Sequence, residues 1–237
     1  PLVRRALLGR SGLDRAARLM AGSAPSSREL MGAFRRLGVE IDDSYGLTEA
    51  PLVTLDPPGT LGASRLGTVG QPLPETEVRI AADGEVLVRG PQVSCGQVDD
   101  DGWLATGDLG SLDAEGNLAI RGRKKEIIVT AYGKNVYPVR VEPQLKGIAG
   151  VQEALLVGDG RPYCAALLWA AGGLPGEAEL RRIGEGVARI NEGLSRHERV
   201  RRWAVLPHDL SIERGDLTAN LKLRLDGFTW KDTQDLV

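Results

Sequence analysis

Residues 45–49 read Tyr-Gly-Leu-Thr-Glu, and they crowd three kinds of chemistry into one short stretch. The ring of Tyr45 can stack on a base. The hydroxyl of Thr48 can donate to a phosphate oxygen. The carboxylate of Glu49 is a hard oxygen ligand of the kind Mg²⁺ prefers. Together they read as one wall of a nucleotide site.

Three other stretches carry groups that fit the same ligand. In "AGSAPSS", residues 21–27, the small side chains let the backbone approach a flat ring such as adenine. In "GWLATGDLG", residues 102–110, Asp108 can accept two hydrogen bonds, as the paired hydroxyls of a ribose require, and Trp103 reads as a packing residue. In "GRKKEIIVTAYGKNVYP", residues 122–138, Arg123 is a permanent cation with a forked donor set, and Gly133 stands where bulk would block an approach. Each stretch also has a plain structural reading: a strand-to-helix turn, a Gly-bounded Asx turn, a basic hairpin edge.

The elements that must position these groups follow from pattern. Residues 26–38 read as a helix, with Leu30, Met31, Phe34 and Leu37 on one face, a Ser26/Glu29 capping box and Gly38 as its end. "VEI" at 39–41 reads as a short buried strand, which puts residues 44–50 in the loop at its carboxyl end, where open α/β sheets place ligands. "ETEVRIAADGEVLVRG" and "GSLDAEGNLAIRGR" read as hairpins turning at Asp-Gly and Gly-Asn, within a small antiparallel β-subdomain. Asp99, Asp100 and Asp101 read as a solvated turn. From about Lys125 the order becomes strand, helix, strands, helix, strand, a compact α+β domain. Its first helix pattern is interrupted by Pro143. Its second shows a Leu180, Ile183, Val187, Ile190 and Leu194 stripe. Arg181, Arg182, Arg196, Arg199, Arg201 and Arg202 read as a solvated face.

Bulk composition narrows the function classes. A net charge of −2 over 237 residues favours neither nucleic acid nor an anionic membrane, and aromatics at 4% are too few for a base-stacking platform. Gly supplies 31 residues, well above the usual ~7%, so tight turns and close backbone approaches are frequent. Cys95, Cys164, His197 and His208 show no metal-ligand spacing and no disulfide framework. No long apolar run or signal peptide stands out, so a cytoplasmic location is expected.

Taken in order, the four stretches resemble the adenylate-forming acyl-CoA synthetases and ligases. "GRKKEIIVTAYGKNVYP" and "LTANLKLRL" point to the long-chain fatty acid branch. The resemblance runs to about residue 225. It implies the end of an α/β adenylate-binding lobe, with its small β-subdomain, over residues 1–124, and a mobile C-terminal α+β domain over 125–237. It implies Mg²⁺ as cofactor, with ATP, CoA and a fatty acid as substrates. By the same resemblance Gly22, Ser23, Ala24 and Pro25 line adenine and Tyr45 stacks on or beside it. Thr48 touches phosphate, Glu49 holds the metal, and Asp108 and Arg123 reach the ribose. Lys125 is the hinge. Tyr132, Gly133, Lys134 and Asn135 form the loop that meets pantetheine. Lys222 bridges the carboxylate and the α-phosphate during adenylation.

The chain also departs from the pattern. No Ser/Thr/Gly-rich loop ending in Lys-Gly precedes residue 44, although the family grips the outer phosphates with one. Thr218-Ala219-Asn220 stands where Thr-Pro-Thr is usual, and Leu225 where Arg is common. The expectation is the C-terminal portion of a synthetase, inactive alone, preferring the adenylate half of ATP, and exposing apolar surface through which it self-associates. Two alternatives remain. One is an acyl-AMP ligase serving a carrier protein, disfavoured by the short run between Ala50 and Gly67. The other is a non-catalytic, partner-binding remnant.

Overall fold

The computed structural model describes residues 2–23, 26, 28–56, 66–170, 173–219 and 223. The chain divides into two compact units, Pro1–Lys125 and Glu126–Val237. Ala24, Pro25 and Lys222 lie outside the described residues.

The first unit opens with helix α1 (Leu2–Arg10), strand β1 (Met20–Ala21), helix α2 (Arg28–Arg36) and strand β2 (Asp42–Tyr45). α2 ends as its sequence predicts. Gly38 adopts φ +74°, its N–H reaches Arg35 O, and Val39 N–H reaches Phe34 O, the paired bonds of a Schellman cap. Met31 and Phe34 are partly buried, but Leu30 and Leu37 are exposed, so the expected apolar face is only half covered.

The strand expected at "VEI" lies instead at Asp42–Tyr45, parallel to β1. A polar strand is stable here because its side chains find partners. Asp42 pairs with Arg18, whose other nitrogen donates to Asp56 O, and Ser44 Oγ donates to Ala21 O at 2.9 Å. Burial, with Asp56 nearby, pushes Asp43 up to about 6.

Strands β3 (Thr54–Leu55) and β4 (Gln71–Pro72) complete a four-stranded sheet in the order β1-β2-β3-β4. Both expected hairpins form. β5 (Glu77–Ile80), β6 (Glu85–Arg89), β7 (Leu104–Leu112) and β8 (Leu118–Arg123) make an antiparallel meander. Gly84 and Gly116 take the positive φ that each turn requires. Ala50, Val53, Val86, Val88, Leu104 and Leu118 form the core, and Tyr45 and Leu47 pack against it. The loop bearing residues 45–49 is therefore anchored to the β5–β8 sheet by its own apolar members. The guanidinium carbons of Arg79 and Arg89 lie 4.2 and 4.7 Å from the centre of the Trp103 ring. Asp99 Oδ1 accepts the N–H groups of Asp101 and Trp103, so the acidic run is a capped turn.

The second unit begins with the hairpin β9 (Ile128–Val129) and β10 (Asn135–Val136), then helix α3 (Pro138–Lys146). Strands β11 (Val151–Val157) and β12 (Cys164–Ala170), helix α4 (Glu177–Gly193) and strand β13 (Val200–Val205) follow. The sheet order is β11-β12-β13, with β12 antiparallel to β11 and parallel to β13. β12 is apolar throughout because both of its faces are buried. Cys164, Ala166 and Leu168 join Val141, Leu145, Ile183 and Val187, while Leu167 and Trp169 join Leu155, Leu206 and Leu223. Pro143 does not interrupt α3, contrary to expectation. The single backbone bond it forgoes is outweighed by the burial of Val141 and Leu145 on either side. Leu180, at the edge of the α4 stripe, is exposed. Cys95 is exposed and Cys164 buried, both as free thiols. Among the described residues no helix is long and apolar enough to cross a membrane.

One consequence concerns Glu142 on α3. Its Oε1 accepts Leu156 N–H at 2.8 Å, and burial, helped by Glu153 and Glu126 against Lys146, pushes its carboxyl up to about 7. The folded chain thus holds this proton more tightly than the unfolded chain. The stabilisation is complete below the unfolded value of 4.5 and is lost as pH rises through about 7. Glu142→Gln keeps the acceptor and removes the titration. In urea unfolding of the chain across this range, Glu142→Gln should gain on the order of 3 kcal/mol over wild type between acid and pH 8. Parallel pH profiles for the two proteins would refute this.

Candidate functional site

The first unit brings three of the four stretches together. β2 delivers Tyr45, and the chain turns at once. Leu47 N–H bonds Ala50 O, Ala50 N–H bonds Leu47 O, and Val53 N–H returns to Tyr45 O. A Cβ on Gly46 would fall on the Pro51 carbonyl, so no larger residue fits this turn. Ser94 N–H ties Glu49 O from outside. The result is a pinned turn from which the Thr48 and Glu49 side chains stand exposed.

Behind it lies a buried carboxylate. Tyr45 Oη donates to Asp108 Oδ2 at 2.6 Å, and Arg123 Nε lies 3.3 Å from Asp108 Oδ1. Asp108 is 4% exposed, whereas the Arg123 side chain is open to solvent. Burial and the neighbouring carboxylate drive the Tyr45 hydroxyl above the normal phenol range, so it acts as a donor. Each carboxylate oxygen has two lone-pair directions, so Asp108 keeps capacity for the hydroxyls of a ligand.

The aim of Asp108 depends on a strand irregularity. Leu87 pairs with Ala105 and Glu85 with Leu109, so β7 spends three residues, Thr106, Gly107 and Asp108, where β6 spends one, Val86. The bulge centres on Gly107, at φ +73°. Thr106 Oγ1 donates to Val86 O at 2.8 Å and accepts Asp108 N–H at 3.1 Å. Glu85 Oε1 accepts Gly107 N–H at 2.8 Å. Sequence reasoning singled out neither Thr106 nor Glu85. The Thr-Gly-Asp run was a signal for Thr106. Glu85 had none, because its role arises from strand register.

Gly22 and Ser23 follow β1 directly and so lie beside β2. A Cβ at Gly22 would strike Ser44 Oγ at 2.5 Å, which explains the glycine, and Ser23 takes a positive φ of 68°. The small-residue stretch is thus adjacent to the strand that carries Tyr45. Lys125, in a 3-10 turn over Lys124–Glu126, is the last residue of the first unit.

In the second unit, Tyr132, Gly133, Lys134 and Asn135 form the tip of the β9–β10 hairpin. Thr130 N–H bonds Lys134 O, Gly133 N–H bonds Thr130 O, and Lys134 N–H bonds Thr130 Oγ1. Tyr132 is 74% exposed. A Cβ on Gly133 would meet nothing within 4 Å; the glycine is required by its φ of +69°, not by lack of room within the chain. Arg181, Arg182, Arg196, Arg201 and Arg202 are exposed as expected, while Arg199 is partly buried and donates to Leu194 O.

Residues 5–96 match the family model described as AMP-binding enzyme, and residues 125–219 match the AMP-binding enzyme C-terminal domain. Long-chain-fatty-acid–CoA ligase FadD15 of Mycobacterium bovis is 37% identical over 93% of this chain and 40% of its own length. The 2-succinylbenzoate–CoA ligase of Listeria monocytogenes is 32% identical over 59% of this chain and 32% of its own. Among solved structures, O-succinylbenzoate coenzyme A synthetase from Bacillus subtilis in complex with AMP superimposes with a TM-score of 0.70 at 27% identity, covering 94% of this chain and 48% of that one. The same enzyme in complex with ATP and magnesium ion gives 0.66 at 26% identity, over 90% and 48%. The chain spans about two fifths of the length of the first curated relatives it matches.

Proposed function

Because this chain belongs to the AMP-binding enzyme family, we propose that it supplies the C-terminal part of an ATP- and Mg²⁺-dependent synthetase. The synthetase activates a fatty acid of the long-chain class as acyl-AMP and transfers the acyl group to CoA. A carboxylate oxygen attacks the α-phosphorus and pyrophosphate leaves; the CoA thiol then attacks the acyl carbonyl and AMP leaves. The similarity to a long-chain-fatty-acid–CoA ligase supports CoA over a carrier protein as acceptor.

The observation that carries this reading is the convergence of Tyr45, Asp108 and Arg123 from three separate stretches. In the proposed site Asp108 accepts the ribose hydroxyls and Arg123 donates to the same sugar. Tyr45, with Gly22, Ser23, Ala24 and Pro25, borders the adenine. Thr48 donates to phosphate. Glu49 is a single exposed carboxylate, and Mg²⁺ is usually held by one or two carboxylates together with substrate phosphates and water, so the donor set fits a metal that arrives with the nucleotide. The bound ion would neutralise charge on the phosphates as pyrophosphate departs. Residues 125–237 act as the mobile domain, with Lys125 as hinge. That domain presents Lys222 for the first half-reaction and Tyr132, Gly133, Lys134 and Asn135 toward pantetheine for the second.

Titration calorimetry of the 237-residue chain tests the nucleotide site directly. AMP should bind, and ATP should bind this 237-residue chain no more tightly than AMP, because residues 1–43 hold no Ser/Thr/Gly-rich loop ending in Lys-Gly for the outer phosphates. Absence of AMP binding at millimolar ligand would sink this reading in favour of a non-catalytic module.

A further inference from the structure

Glu85 sits where β6 and β7 lose register, and its two carboxylate oxygens have different jobs. Oε1 accepts Gly107 N–H at 2.8 Å. That N–H falls in the bulge, where the β6 backbone offers it no ladder partner, so the side chain stands in for the missing carbonyl. Asp108 is the next residue. Its backbone conformation, and so the aim of its carboxylate, is fixed between the Glu85 bond at Gly107 and the Thr106 hydroxyl at its own N–H.

Oε2 of the same Glu85 accepts from Lys124 Nζ at 3.0 Å, and Asp83 Oδ2 accepts from Lys124 Nζ at 2.5 Å. Lys124 directly follows Arg123, the last residue of β8, and opens the 3-10 turn that contains Lys125. Both carboxylates come from the tight β5–β6 turn and the start of β6, so the clasp is built on rigid sheet. The Asp83 and Glu85 carboxylates hold the Lys124 ammonium above its ordinary range, and Lys124 holds Asp83 below the usual carboxylate range. All these groups lie in the first unit.

We propose that Glu85 is a positioning residue that couples two functions: through Gly107 it aims Asp108, and through Lys124, with Asp83, it clasps the chain where the linker to the second unit begins. This rests on the reading of Asp108 as ribose ligand and Lys125 as hinge. A hinge works when a few residues absorb the whole backbone change. A clasp on the residue before the hinge keeps that change from spreading back into β8 and Arg123. It also biases whichever linker conformation the clasp permits, and so the balance between the two half-reactions. An exposed ion pair exerts a modest bias, enough to shift a poised equilibrium a few-fold.

The two jobs separate by substitution. Glu85→Gln keeps an acceptor for Gly107 N–H and loses the charge on Lys124. Lys124→Met removes only the clasp. Glu85→Ala removes both contacts. In the complete enzyme, adenylation is read by ATP–pyrophosphate exchange, and thioester formation by supplying acyl-adenylate and CoA. Lys124→Met, which frees both carboxylates, should change the ratio of the two rates about two- to fivefold; Glu85→Gln, which leaves the Asp83 bond, should change it less and in the same direction, and the double variant should change it no further than Lys124→Met. Glu85→Ala should in addition weaken AMP binding to the chain about tenfold, as one charge-assisted hydrogen bond warrants. The proposal is overturned if the ratio does not move, if the double variant shows the product of the single effects, or if Glu85→Ala binds AMP like wild type while Asp108→Ala does not. If Asp108→Ala also binds AMP normally, the nucleotide reading itself fails and takes this proposal with it.

Discussion

Asp108→Ala should weaken AMP binding to this chain about 100-fold, the largest loss expected from any single change in the first unit. A hydrogen bond to a charged group contributes roughly 1.5–3 kcal/mol, and a ribose diol would make two to this carboxylate. The substitution also strands Tyr45 Oη, which donates to Asp108 at 2.6 Å, and leaves Arg123 without its anion. Part of the loss therefore arises in the free protein rather than in the complex. A ligand change separates the two contributions. AMP lacking both ribose hydroxyls should bind wild type weakly and Asp108→Ala almost equally weakly. If the variant loses as much affinity for the dideoxy nucleotide as for AMP itself, Asp108 does not read the sugar. Asp108→Asn gives a graded control: it keeps the shape and one acceptor, and should fall between the two.

That prediction rests on three residues recognisable in the sequence and on a geometry that was not. The hairpins were legible because their turns carry Gly beside Asp or Asn between alternating runs, a local signal. The end of α2 was legible because only a positive-φ residue closes it so cheaply, and Gly38 is that residue. The position of β2 was not. The Val39-Glu40-Ile41 triplet, with two β-branched residues, outweighed a polar quartet at 42–45, because the partners that make the quartet tolerable, Arg18, Asp56 and Ala21, come from other elements. Pro143 misled for the same reason, since the packing of Val141 and Leu145 overrides a local helix-breaking signal. The Gly107 bulge is the clearest case. Gly107 inside a strand pattern hints at it, but residues 102–110 alone do not place it, because a bulge is a mismatch between two strands and needs both registers to be seen. Residue types marked Asp108, Tyr45 and Arg123 as candidates, and the fold brings the three together; long-range register and a neighbouring carboxylate decide where those groups point.

In the complete enzyme, Lys222→Ala should slow adenylation about 1,000-fold and thioester formation from supplied acyl-adenylate less than tenfold. The asymmetry follows from charge. Adenylation brings a carboxylate against an α-phosphate, and a unit charge about 4 Å away contributes ~4 kcal/mol at an effective dielectric near 20, which is about a thousandfold in rate. In the second step the nucleophile attacks a carbonyl already activated by its adenylate, so that cation is not required at the phosphate. Leu217 and Leu223 pair across an antiparallel bridge, and Leu223 packs against the cluster of Leu155, Leu167, Trp169 and Leu206. Lys222→Arg tests whether charge alone suffices, since a guanidinium keeps the charge while replacing a compact ammonium with a wide fork. Equal losses in the two half-reactions for Lys222→Ala would show that the lysine supports the fold of the second unit rather than the chemistry, and urea unfolding of the variant would then register the same defect.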